Sequence, residues 1–171
     1  MRYFSLALLS LVISISCKKD GLLFKGDLNK SYQTWLAFKD SSNNSYRYMV
    51  TFGSWTGYGT ETLITVVNGK VTERSFTAKF LRHDGTNLID SLITEWREDE
   101  AQLASHDQGA APLTLDDIYK EARENWLRRR DDADTYFETG NNGKISVCGY
   151  IPHNCMDDCF RGIHIRLIEA L

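Results

Sequence analysis

Residues 60–80 read TETLITVVNGKVTERSFTAKF. Residues 60–67 are rich in β-branched side chains, which suit a pleated strand. Asn68-Gly69 interrupts the run, and residues 71–80 resume it. An Asn-Gly pair accepts the positive φ angles of a two-residue hairpin turn. The stretch predicts two antiparallel strands joined tightly, and it sets the theme for the chain around it.

Toward the N-terminus the same period of two continues. Tyr46, Tyr48, Val50 and Phe52 fall on one strand face, and Arg47, Met49 and Thr51 on the other. Gly53, Gly57 and Gly59 punctuate a loop carrying Trp55 and Tyr58. Further upstream the period changes. Leu28, Tyr32, Trp35 and Leu36 are spaced as one face of a helix, with Asp27 as its cap and an end near Asp40.

Toward the C-terminus, residues 88–96 fit either a helical stripe (Leu88, Ile89, Leu92, Ile93, Trp96) or a strand face (Leu92, Thr94, Trp96). The hairpin strands before them favour a strand. Residues 97–112 are polar and irregular. Thr114 and Asp117 have capping-box spacing at the start of a second helix. Leu115, Ile118, Tyr119, Ala122 and Trp126 form its apolar stripe. Residues 135–139 and 144–150 read as strands around the turn Gly140-Asn141-Asn142-Gly143, and Ile163, Ile165 and Leu167 mark a last strand. The fold class expected is α+β: an antiparallel sheet of hairpins with two helices packed on one face. The turns VNGKV (67–71) and NNGKI (141–145) are alike, which allows an α-β-β duplication.

Composition is that of an ordinary globular protein, with 42% hydrophobic and 25% charged residues. The net charge of -3 argues against nucleic acid as a partner. Arg128, Arg129 and Arg130 read as cations at a helix C-terminus, followed at once by Asp131 and Asp132.

The first residues, MRYFSLALLSLVISISCKKD, set the compartment. Arg2 supplies a positive start, residues 3–15 a short apolar run, and Ser14 and Ser16 small residues at its exit, the pattern of a secretory leader. The run is shorter than the roughly 20 residues that span a bilayer. Ser14-Ile15-Ser16-Cys17 resembles a bacterial lipobox, with serine where leucine is usual. The resemblance implies cleavage before Cys17, acylation of that cysteine (palmitate among its chains) and a lipid anchor in the membrane. Lys18, in place of aspartate, implies the outer membrane, facing the periplasm or the surface; a secreted protein is the alternative. The expected division is a signal peptide over 1–16, a lipid-anchored tether over 17–26 and one globular domain over 27–171.

Residues 148–159 hold the remaining cysteines, Cys148, Cys155 and Cys159. In an oxidising compartment nearby cysteines pair. A bridge from Cys148 to Cys155 or Cys159 would close about ten residues, worth about 2–3 kcal/mol. Alternation places Cys148 on the Ser146/Tyr150 face, opposite Ile145 and Val147. With Cys17 acylated, one of the three is left over. The competing reading is a zinc site from Cys148, His153, Cys155, Cys159 and His164, whose spacings match no paired pattern. Asp157 and Asp158 lack the ligand spacing and central glycine of a calcium loop.

Residues 95–165 resemble small uncharacterised bacterial lipoproteins. The likeness rests on Ser105-His106-Asp107 with Gly109-Ala110, on residues 113–119 (LTLDDIY), and on Cys148-Gly149-Tyr150 with Asp157-Asp158-Cys159-Phe160 and Gly162-Ile163. The resemblance transfers no activity and no site residues.

No hydrolase, zincin or phosphate-loop motif is present, so the reading assigns no catalytic residue, cofactor or metal. Ser105-His106-Asp107 carries triad residue types, but adjacent side chains do not adopt triad geometry. Tyr46, Tyr48, Trp55 and Tyr58 could form an aromatic platform, with Trp55 and Tyr58 the candidate ligand-binding pair and Tyr46 and Tyr48 more plausibly core. The function expected is binding of a protein or glycan ligand, or a structural role, at a membrane reached through the lipid. A secreted hydrolase, or a metal-binding protein using residues 148–159, is the alternative. An enzyme would bring His83, His106 or His153 to a carboxylate in a pocket; a binding protein would expose an aromatic patch around Trp55 and Tyr58.

Overall fold

Asn68 (φ 49°) and Gly69 (φ 79°) both take positive φ, and the residues either side of them, Val67 and Lys70, face one another in register. The hairpin read from the sequence is therefore formed. The computed structural model describes residues 21–171; the leader and Cys17 lie outside the described residues.

The chain opens with helix α1 (Lys25–Ser41) and four strands, β1 (Tyr46–Gly53), β2 (Tyr58–Val67), β3 (Lys70–Asp84) and β4 (Asn87–Asp99). Helix α2 (Leu115–Glu121) follows, extended by a π-helical turn over Ala122–Trp126. Strands β5 (Ala133–Glu138), β6 (Val147–Pro152) and β7 (Arg161–Ala170) complete the chain. All seven strands form one antiparallel sheet in the order β4-β3-β2-β1-β7-β6-β5. The α+β class and its hairpins are as expected. The last strand lies beside the first, so β1 and β7 join two meanders at the middle of the sheet.

Several boundaries differ from the sequence reading. α1 begins two residues before Asp27, with Phe24 in a left-handed conformation as its cap and no side-chain cap. Asp27 is a first-turn acid instead. Residues 21–26, read as the end of a tether, are part of the fold: Leu22 is buried and pairs with Arg128, and Leu23 N–H bonds the Leu127 carbonyl. Residues 88–96 are a strand, and it runs on to Asp99 because Glu98 faces Arg74 across β3. At α2 the capping box is complete, with Thr114 Oγ1 accepting from the Asp117 N–H and Asp117 accepting from the Thr114 N–H. Arg130 donates to the Asn125 and Trp126 carbonyls, the end carbonyls that a cation satisfies best.

β6 starts at Val147, three residues later than expected. Lys144 and Ile145 instead turn inward. Ile145 is fully buried and its N–H bonds the Tyr119 hydroxyl. The Lys144 ammonium lies 4.5 Å from the Phe38 ring centre, and burial lowers its pKa.

The core gathers Trp35 and Leu28 of α1, Leu115 and Ile118 of α2, and Tyr46, Tyr48, Ile64 and Val66 of the sheet. Trp35 meets Tyr46 edge-on at 5.0 Å. Burying a hydroxyl is costly unless it is bonded. Tyr46 accordingly accepts from the Leu115 N–H at 2.9 Å, and Tyr48 donates to the Leu113 carbonyl at 2.5 Å. These two bonds hold the start of α2 against β1.

Candidate ligand-binding cleft

β1 and β7 are neighbours only over part of their length. Tyr46 to Val50 pair with Ala170 to Ile165, with a bulge at Met49/Val50. Beyond it, Thr51, Phe52 and Gly53 pair with β2 alone, and the first part of β7, Arg161 to His164, pairs with β6 alone. The sheet splays there. A half-open cleft of about 650 Å³ fills the split, within the range of small-ligand sites.

Its walls are mainly apolar. Val50 and Phe52 of β1, Phe76 of β3, Leu113 and Trp126 meet Phe160 and Ile163 across it. Polar groups are Thr51, Thr60, Thr62, Gln108, Asp158 and His164, with Tyr48 and Tyr58. Thr62 is already committed, accepting from the Ala110 N–H at 3.0 Å. Desolvation holds the His164 imidazole below its ordinary pKa, against an opposing pull from the Glu138 carboxylate. A neutral imidazole can accept a hydrogen bond as well as donate one.

The mouth is built from two loops distant in sequence. Trp55 Nε1 donates to Asp157 Oδ1 at 2.6 Å, and Ser54 Oγ donates to Asp158 Oδ2 at 2.6 Å. Cys155 and Cys159 form a disulfide that closes the second loop. A closure of that length contributes about 2 kcal/mol by restricting the unfolded chain. Trp55 is 77% exposed despite its bond, Met156 is 99% exposed, and Phe52 is also exposed.

The predicted site residues are thus distributed as follows. Tyr58 lines the cleft and Trp55 stands at its mouth, beside the Cys155–Cys159 loop. Tyr46 and Tyr48 are core, and Tyr48 also reaches the cleft lining. Cys148 corrects the sequence reading: it takes no part in the bridge, and it is a fully buried core thiol. Ile145 precedes the strand, which begins at Val147, so its burial does not define the strand's inner face, and Cys148 faces inward opposite Ile163. Burial raises its pKa well above the ordinary thiol value. The proposed zinc ligands are dispersed: Cys148 is in the core, Cys155 and Cys159 are oxidised, and His153 lies 3.3 Å from Asp134 on the surface. Among the described residues, no three of His, Cys, Asp and Glu gather where they could hold a metal ion.

Ser105 and His106 lie outside the cleft and serve another centre. Glu98 is fully buried and is clamped by Arg74 Nε at 2.8 Å and Nη2 at 2.9 Å. Its oxygens also accept from the Ala104 and His106 N–H groups, and from Ser105 Oγ at 3.1 Å. Arg74 in turn donates to the His106 and Ala110 carbonyls. His106 Nδ1 meets the Glu98 carboxylate at 2.9 Å and Ser105 Oγ at 3.3 Å. In a triad, acid and nucleophile occupy opposite ring nitrogens; here both crowd one. The cluster pins residues 104–110 over β3 and β4, and Gln108 to Ala111, which follow it, form one wall of the cleft.

Sequence reasoning missed this Arg74–Glu98 anchor and the wall residues Phe76, Leu113 and Trp126. Arg74 falls on a predicted strand, but Glu98 falls in the segment read as irregular, so local pattern carries no signal for the pair. The chain matches no protein-family model, no curated protein and no solved structure.

Proposed function

We propose that this is an envelope lipoprotein, anchored through Cys17 and non-enzymatic, that binds a ligand in the cleft between β1 and β7. The observation that carries the binding role is the 650 Å³ apolar cleft with Tyr58 and the exposed Trp55 at its edge. Apolar walls with a few convergent polar groups are the usual make-up of a ligand site. An aromatic group that is solvent-exposed yet held by a hydrogen bond is poised for contact with a partner. Among the described residues, His164, the imidazole at the cleft, has no hydroxyl or thiol hydrogen-bond partner, which disfavours a hydrolase with a histidine-activated nucleophile. In this reading both helices cover one sheet face, and α1 and α2, each with the hairpin strands that follow it, repeat an α-β-β unit. The support for the second point is the matching Asn-Gly turns, since Asn142 and Gly143 share the positive φ of Asn68 and Gly69.

Two measurements test the proposal. Metabolic palmitate labelling should mark the protein and should vanish in Cys17→Ser; a label that persists removes the anchor. For the cleft, a panel of chitohexaose and short peptides is tested by thermal shift against the protein and against Ala111→Trp. Ala111 is exposed and lines the cleft, so the indole fills it without entering the core. At least one ligand should raise the Tm of the wild type and leave the variant unchanged. Equal shifts in both, or none in either, would reject the cleft as the site.

A further inference from the structure

Among the residues that line the cleft, one side chain carries a formal charge, the Asp158 carboxylate. The other walls are apolar or neutral, and burial disfavours the charged form of the His164 imidazole. Charges on the neighbouring strands cancel in pairs, Lys79 with Asp90 and Arg166 with Glu61. Asp158 has no such partner. Its carboxylate accepts from the neutral Ser54 hydroxyl, and that of Asp157 beside it accepts from the Trp55 indole N–H. Among the described residues no cation pairs with either carboxylate, Arg161 included. The Cys155–Cys159 bridge closes the loop that carries both. The carboxylates alone would be an ordinary solvated loop; here they edge an apolar cavity of about 650 Å³. A cavity with unbalanced negative charge at its rim discriminates by sign, attracting a cation and repelling an anion.

Resting on the reading of the cleft as a binding site, we propose that its ligand is a small amphiphile with an apolar body and a single cationic head, of the alkylammonium class. The body lies against Phe76, Leu113, Trp126 and Ile163, where it leaves water. The head stays at the mouth beside Asp158 and Asp157. Both residues are exposed, so the head keeps part of its hydration and avoids the cost of burying a charge. The Trp55 indole, 77% exposed at the same mouth, adds a ring that attracts cations. Attraction between exposed charges is modest. The apolar walls therefore provide most of the affinity, and the carboxylates decide the sign of the head. A fatty acid has the same tail and the opposite charge, and it meets the two carboxylates as a repulsion.

The test uses decylammonium, decanol and decanoate, which share a tail and differ in the charge of the head. Each is titrated by calorimetry into the purified full-length protein, below the concentration at which it aggregates, and into Ala111→Trp alongside. In the wild type decylammonium should bind about fivefold more tightly than decanol, the scale of an exposed ion pair, and decanoate should bind more weakly than decanol. Added salt should shrink the difference. Asp158→Asn keeps an acceptor for Ser54, and Asp157→Asn keeps one for Trp55, so the contacts of the loop survive both changes. The two substitutions together should bring decylammonium and decanol to equal affinity. Equal affinities in the wild type, tighter binding of decanoate, or a preference that survives both substitutions overturns the proposal. So does binding that is unchanged in Ala111→Trp, or no binding of any of the three. If chitohexaose or a peptide still shifts the wild type and not Ala111→Trp, the cleft stands and its ligand is of another class; if nothing does, both readings fall.

Discussion

At the scale of single residues, the Arg74–Glu98 pair has the largest consequence. Arg74 is 3% and Glu98 0% exposed at the side chain. A buried charge deprived of its partner is costly, so Glu98→Gln should lose about 3 kcal/mol in urea unfolding. The pair also sets an acid limit. Arg74, and then the His106 contacts, hold the Glu98 carboxyl below its ordinary 4.5, against the opposing effect of burial. A carboxylate with a depressed folded pKa stabilises fully above its unfolded value. That stability should therefore be intact above about pH 4.5 and fall as the pH drops below it. Urea titrations at pH 7 and pH 3 should show the loss in the wild type and a smaller one in Glu98→Gln; identical slopes would discount the pair. Cys148 gives a second residue-scale outcome. Buried among Ile163 and Phe137, with its pKa raised, it should resist iodoacetamide in the native Cys17→Ser protein. After denaturation without reductant one thiol should react; three would eliminate the Cys155–Cys159 bridge.

At the scale of elements, turns and caps do the local work. Gly69 holds φ 79°, and a Cβ there would also run into the Asn44 side chain. Gly69→Ala should cost about 1–2 kcal/mol for the left-handed backbone alone, read as a lower urea midpoint with unchanged slope. Thr114→Ala removes one half of the capping box and should cost about 1 kcal/mol. The disulfide loop acts differently. It holds Asp157 and Asp158 against Trp55 and Ser54, so Cys155→Ser should loosen the mouth. Trp55 fluorescence should report that change while the far-ultraviolet circular dichroism stays the same.

At the scale of the whole molecule, the strand order places β1 in the middle, between β2 and the chain's last strand. Hydrogen exchange should be slowest in β1 and β2 and fastest in β4 and β5, which end the sheet. Fast exchange at Tyr48, a fully buried strand residue, would contradict this order. The cleft is also a property of the whole. Its walls come from β1, β2, β3, the Gln108 to Leu113 segment, Trp126 of the turn after α2, and the chain from Asp158 into β7.

The hairpin at Asn68-Gly69, the capping box at Thr114 and the period-two strands were legible because each depends on neighbours a few residues apart. The same short range explains the leader-based expectation of export. It also explains the error at Cys148: alternation is a local rule, and it failed once Tyr119, 26 residues upstream, captured the Ile145 N–H and delayed the strand. Arg74 and Glu98, or Trp55 and Asp157, meet only because β strands return the chain across 24 and 102 residues. Periodicity says which way a side chain points, but the divergence of β1 from β7, and the cleft it opens, follows from how two meanders with their helices share one core.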